Sequence, residues 1–196
     1  GFYTLNDGNL LWVMRVLLRA HELEKDARFL AAAKKLGDFL LLAQLPEPQP
    51  AWAQQYNRDM VPVWARKFEP PAVSSIESTS AINALIELWL ATSEEKWLKT
   101  IPPAVAWLEK SKLPGGVWAR FYELGTNKPL YCKARTYELT FDDGDLPTHY
   151  GFKSEPKFAE DIEDIKTKLA TPREELLRKQ ATPADPKKWA SRAKGQ

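Results

Sequence analysis

"FLAAAKKLGDFLLLAQLP", Phe29 to Pro46, returns further along the chain as "WLKTIPPAVAWLEKSKLP", Trp97 to Pro114, and the recurrence decides the fold. Aligned so that Phe29 falls on Trp97, the two stretches also set Leu30 on Leu98, Phe39 on Trp107, Leu40 on Leu108 and Leu45–Pro46 on Leu113–Pro114. Each copy follows another stretch of helical spacing. Leu10, Val13, Met14, Leu17 and Leu18 recur from Asn9 to Glu22, and Ile82, Leu85, Ile86 and Trp89 from about Glu77 to Ala91. Four helices are therefore predicted, over 9–22, 27–44, 77–91 and 94–110, paired as two hairpins. Pro102 and Pro103 should kink the last of them or open it, because proline is tolerated in a first turn. Strand signals are sparse. Repeated helical hairpins bury their apolar faces by stacking on one another, so the chain reads as all-α, a toroid or solenoid of hairpins with long rim loops.

Beyond each copy comes Trp-Ala-x-x-Tyr, "WAQQY" at Trp52 to Tyr56 and "WARFY" at Trp118 to Tyr122. Stacked repeats carry equivalent loops to one rim. "WAQQY", "VWARKFEPP" (Val63 to Pro71) and "WARFYELGTNKP" (Trp118 to Pro129) should thus lie near one another. In the middle loop Pro70 and Pro71 stiffen the backbone around Arg66 and Lys67. One reading has Trp64 and Phe68 anchoring this loop with the two cations in water; the other has Arg66 held for chemistry. Arginine offers a planar fork to carboxylates, and aromatic faces stack on sugar rings. The rim residues Arg66, Arg120, Lys128, Arg135, Trp52, Asn57 and Tyr122 are accordingly the candidates for handling an acidic carbohydrate.

The chain has 196 residues, enough for one substantial core, with 28 basic against 26 acidic side chains. A net charge of +2 makes no global case for nucleic acid or an anionic membrane as partner. No apolar run is long enough for a membrane span, and a single cysteine, Cys132, forms no intrachain disulfide. Past Tyr131 the pattern changes. "FDDGDLPTHYGF" is an acidic, turn-rich stretch, and 160–169 and 172–180 read as charged helices with little apolar face. Residues 1–152 are the expected catalytic part and 153–196 a charged helical extension that frays from Ala181.

No hydrolase triad, glycine-rich phosphate loop or Cys/His metal cluster is present in the sequence. His21 falls at a helix end, where a cap or surface role fits, and His149 is isolated. Asp7, in "TLNDGN", either caps a helix or offers hard oxygens to a cation. Asp142, Asp143 and Asp145 lack the EF-hand spacing and read as a solvated turn.

The runs "TLNDG…RVLLRAHE", "FLLLAQLPEPQPAWAQQYN", "VWARKFEPP…ES" and "WARFYELGTNKPLY" resemble the family 10 pectate lyases, the pectic acid lyases, from about Tyr3 to Phe152. The resemblance implies an α/α toroid and calcium-assisted β-elimination of polygalacturonate by a secreted or periplasmic monomer. It implies that Arg66 is the base removing the sugar C5 proton, that Arg120 binds a substrate carboxylate, and that Asp7 belongs to the metal region. The family arginine after the Thr-Asn-Lys-Pro loop falls on Lys133 or Arg135. Family members carry a further hairpin before the Asn-Asp-Gly motif, so this chain is expected to be an incomplete toroid and to bind and turn over substrate weakly alone. Ser74 and Ser75 stand where the family has a glycine-containing turn. Two alternatives remain: an α/α-toroid glycoside hydrolase, which needs two carboxylates across the bond, and a non-catalytic module that binds acidic polysaccharide.

Overall fold

The structure is a computed structural model and describes residues 1–181; the expected frayed tail lies outside the described residues. In chain order the elements are β1 (Tyr3–Thr4), α1 (Asn9–Glu24), α2 (Ala27–Ala43), β2 (Gln55–Tyr56), β3 (Ala72–Ser74), α3 (Ser75–Thr92), α4 (Ile101–Lys110), β4 (Phe121–Glu123), β5 (Pro129–Cys132), β6 (Leu139–Thr140), α5 (Lys157–Ala170) and α6 (Arg173–Ala181). The four predicted helices are present. Asp26 starts α2 by accepting the Arg28 N–H at 2.8 Å, and Ser74 starts α3 by accepting that of Glu77 at 3.4 Å. The two prolines open α4 rather than kinking it, and a short 3-10 turn at Glu95–Trp97 replaces the helix upstream. Proline has no N–H to continue a helix, so a longer one was not available there.

α3 is the hub. Twelve of its eighteen residues are buried, and it packs against α1, α2, α4, α5 and α6. A helix covered by neighbours on most of its sides belongs in a core rather than on a surface. Its approach to α2 is close enough to require glycine at position 37. A Cβ on Gly37 would lie 2.4 Å from Leu88 Cδ2 and 2.8 Å from the Trp97 ring.

The repeat seen in sequence is repeated in hydrogen bonds. Trp52 Nε1 donates to the Leu40 carbonyl at 2.8 Å, as Trp118 Nε1 does to that of Leu108 at 2.6 Å. Ala53 N–H donates to the Tyr56 hydroxyl, as Ala119 N–H does to Tyr122. The Ser78 hydroxyl accepts from Trp52 N–H, as that of Ser154 does from Trp118 N–H. Each Trp-Ala-x-x-Tyr loop is thus clamped between the helix before it and the chain that enters the next one.

Two readings need correction. The molecule is not all-α, because the rim loops pair into two small antiparallel sheets. In one, Tyr3 faces Tyr56 and Thr4 faces Gln55; the other runs β3-β4-β5-β6, with Val73 opposite Tyr122 and Phe121 opposite Leu130. Backbone polar groups brought side by side at the rim need partners, and strands of two to four residues are too short to show alternation. Nor is α5 without an apolar face: Phe158, Ile162 and Ile165 are buried along one side, and Phe158 meets the Trp118 ring edge-on at 5.3 Å. α5 and α6 pack against α3, so contacts cross position 152. Among the described residues no helix is long and apolar enough to cross a membrane.

Candidate active site

The stiff loop Val63–Pro71 is anchored by the side chains after its cations. Phe68 and Glu69 are buried, whereas Trp64 is 45% exposed and anchors little. Glu69 holds the loop in shape: its carboxylate accepts from the Arg66 backbone N–H at 3.0 Å and from Arg66 Nε at 2.7 Å, and it pairs with Arg66 Nη2. Tyr150 adds a hydroxyl to Glu69 Oε1 at 2.9 Å. Burial pushes the Glu69 carboxyl up, but the hydrogen bonds from Arg66 and Tyr150 outweigh it and leave it at about 2.

A second cation lies behind the first. Arg120 Nη2 donates to Glu77 Oε1 at 3.1 Å and reaches Asn6 Oδ1 at 3.4 Å and Gln54 Oε1 at 3.5 Å. Glu77 is fully buried and also accepts the Gly8 N–H at 3.3 Å. Burial pushes its carboxyl up to about 7 against the pull of Arg120. Tyr150 ties the two arginines together. The Arg120 guanidinium carbon lies 4.7 Å and that of Arg66 5.3 Å from the centre of its ring. Phe68 extends this aromatic support beneath Arg66 at 5.0 Å, Lys67 Nζ lies 4.0 Å from the Tyr137 ring, and His149 packs edge-on against Phe68.

Asp7 reaches this cluster from the other side. Its side chain is 76% exposed, and one oxygen lies 3.6 Å from Arg120 Nη2. It does not cap α1, whose cap position is Gly8 with no side-chain bond. Asp7 instead takes a left-handed conformation, φ 55°, that turns the chain toward Glu77 and Arg120. Its carboxylate is a hard-oxygen donor of the kind calcium takes. Among the described residues no three His, Cys, Asp or Glu side chains are grouped to hold a metal.

The expected site residues divide sharply. Arg66, Arg120 and Asp7 come together. Trp52 and Tyr122 are fully buried, with the indole N–H on Leu40 and the phenol on Ser111, so they have no surface for a ligand. Asn57 spends its carbonyl oxygen on the N–H groups of Asp59 and Val61, shaping a turn. Lys128 is exposed with its ammonium 5.1 Å from the Phe141 ring, and Arg135 is exposed, while Lys133 pairs with Glu138. His21 ends α1 and hydrogen-bonds the Asp26 carbonyl, and Asp143 pairs with Lys153 at the surface. Ser74 and Ser75 need no glycine: Ser74 has φ −108° and caps α3, while the Ser75 hydroxyl donates to the Ala119 carbonyl. Sequence reasoning passed over Glu69, Gln54 and Tyr150. The Glu-Pro-Pro motif flags Glu69, but nothing local to Tyr150 does, because its partners are distant in sequence.

The charges around Arg66 favour its protonated form. Its closest charged neighbour is the Glu69 carboxylate, whose hydrogen bonds raise the Arg66 pKa further.

This helical scaffold is shared with solved polysaccharide lyases. A mutant Family 10 polysaccharide lyase from Cellvibrio cellulosa, in complex with trigalacturonic acid, matches with a TM-score of 0.73 at 20% identity, over 87% of this chain and 63% of that one. The Family 10 polysaccharide lyase from Cellvibrio cellulosa matches with a TM-score of 0.71 at 21% identity, over 86% and 62%. The chain therefore spans less than two thirds of either. No curated protein matches it. The family model for pectic acid lyase matches residues 3–116, and the chain belongs to that family.

Proposed function

We propose that the chain carries part of the catalytic site of a pectate lyase, in which its hairpins are sectors of an α/α toroid and its rim loops face polygalacturonate. The observation that carries this reading is the gathering of Arg66 and Arg120 against one ring, Tyr150, with the exposed Asp7 beside Arg120. Two guanidinium groups so placed suit a polymer that bears a carboxylate on every sugar. Arg120 is held by Glu77 and presents only an edge, whereas the Arg66 side chain is 52% exposed and can swing onto substrate. β-Elimination removes the C5 proton, places charge on the uronate carboxylate and forms the C4–C5 double bond as the bond from C4 to the bridging oxygen breaks, the departing oxygen taking a proton from water. Positive charge at that carboxylate stabilises the transition state.

Arg66 is the proposed base. It must leave Glu69 and lose a proton first, so turnover is expected to climb into the alkaline range. Asp7 fits calcium as one hard-oxygen ligand, and uronate carboxylates would supply others. The bound ion would add positive charge at the carboxylate. A polymeric extracellular substrate goes with a secreted or periplasmic enzyme. A glycosidase pair is disfavoured because Glu69 and Glu77, the carboxylates bound to the two arginines, are buried and paired with them.

The test is the full-length protein on polygalacturonate. The expected products carry a 4,5-double bond, read as ultraviolet absorbance, and chelation of calcium stops their formation. New reducing ends without absorbance would make the enzyme a hydrolase, and binding without either signal would make it a binding module.

A further inference from the structure

We propose that Trp64, Phe141 and Lys128 form an additional subsite that takes one uronosyl ring of the acidic polysaccharide chain, beyond the sugar held at Arg66 and Arg120. The inference rests on the proposed function. A cavity of about 400 Å³ is walled by Trp64, Pro70, Pro71, Leu130, Leu139 and Phe141. That volume lies in the range of small-ligand sites, which are mostly apolar with a few placed polar groups.

Three features point to a sugar. Trp64 is 45% and Phe141 50% exposed, and Leu124 and Leu139 are exposed beside them, so an apolar patch is gathered where single exposed residues would need no explanation. Lys128 is not part of the wall itself, but its carbonyl accepts the N–H of the lining residue Glu123 at 2.9 Å and its ammonium lies over the Phe141 ring, 5.1 Å from the centre, where it can meet a carboxylate. At the polar margin, Glu123 accepts from the Thr126 hydroxyl and, with Thr140, faces the cavity as an acceptor for sugar hydroxyls. The ring's carboxylate then lies toward Lys128 and away from Glu123.

The pocket is pinned by hydrogen bonds and shares a loop with the site. Buried Gln49 pins the loop that carries Leu124 by donating to the Glu123 carbonyl at 3.0 Å and accepting the Gly125 N–H at 2.6 Å. Little ordering entropy is then left for the ligand to overcome. One stiff loop supplies Arg66 to the site and Trp64, Pro70 and Pro71 to the cavity wall.

Calorimetric titration of the full-length protein with tri- and hexagalacturonate separates the possibilities. Wild type should bind the hexamer at least about tenfold more tightly than the trimer. Trp64→Ala and Phe141→Ala should each remove most of that difference while leaving trimer affinity unchanged. Circular dichroism checks that both remain folded, as their exposure leads one to expect. Trimer binding with a length dependence untouched in both variants would overturn the subsite alone. Failure of folded wild type to bind either oligomer would overturn the proposed function and the subsite with it.

Discussion

At the scale of single residues, Glu69 decides what Arg66 is. Two prolines stiffen the loop, but the buried carboxylate fixes the guanidinium, and it keeps the arginine charged in the unliganded protein. Glu69→Gln removes the anion that raises the Arg66 pKa. If Arg66 is the base, the alkaline rise in kcat should move to lower pH in this variant; an unmoved profile would assign the proton transfer to another group. Arg66→Ala should abolish nearly all of kcat in folded enzyme, and Arg66→Lys should not restore it, because an ammonium lacks the fork that Glu69 and a uronate both engage. Near-normal kcat in Arg66→Ala would return the loop to a structural role. Trp64→Ala should cost less stability than loss of a fully buried tryptophan, because the residue is 45% exposed.

At the scale of elements, the repeat is a clamp as well as a pattern. Trp52→Phe and Trp118→Phe each delete a buried indole bond, to Leu40 and Leu108, and should cost comparable amounts of about 1–3 kcal/mol in chemical denaturation. Grossly unequal losses would mean that the two clamps differ in strength despite their shared geometry. Gly37→Ala sets propensity against packing. Alanine favours a helix over glycine by about 1 kcal/mol, but here its methyl would meet Leu88 and Trp97, and overpacking costs about 1–3 kcal/mol. A lowered Tm is expected, whereas a raised one would show that those side chains move aside cheaply.

For the whole molecule, two buried carboxylates pull stability in opposite directions with pH. Glu69 is held at about 2, below its ordinary 4.5, so the unfolded chain binds the proton more readily and stability is lost as pH falls from 4.5 toward 2. Glu77 is pushed up to about 7, so the folded protein binds the proton more readily and stability falls as pH rises from 4.5 to 7. Glu77→Gln should flatten Tm against pH between 4.5 and 7, even if losing the partner of Arg120 lowers Tm throughout. A slope retained there would place its origin in another group.

The sequence by itself determined the helices, their pairing and the repeat, because spacing of Leu, Phe and Trp along a helix is a local property. The prolines that open α4 and the kinship of the two Trp-Ala loops were legible for the same reason, as was the gathering of cations at the rim. Which rim residues face outward was not. Trp52 and Tyr122 share the composition of a sugar platform with Trp64 and Phe141, yet the first pair is sealed inside and the second lies open. Only packing decides that, since the helix behind each loop either covers the ring or leaves it in water. Tertiary structure likewise decided the ionic partners. Glu77 meets Arg120, and Tyr150 joins Glu69 to both arginines, across stretches of chain that carry no periodicity linking them. Charge and aromatic faces act through space, and stacked hairpins bring together at the rim what the sequence keeps apart.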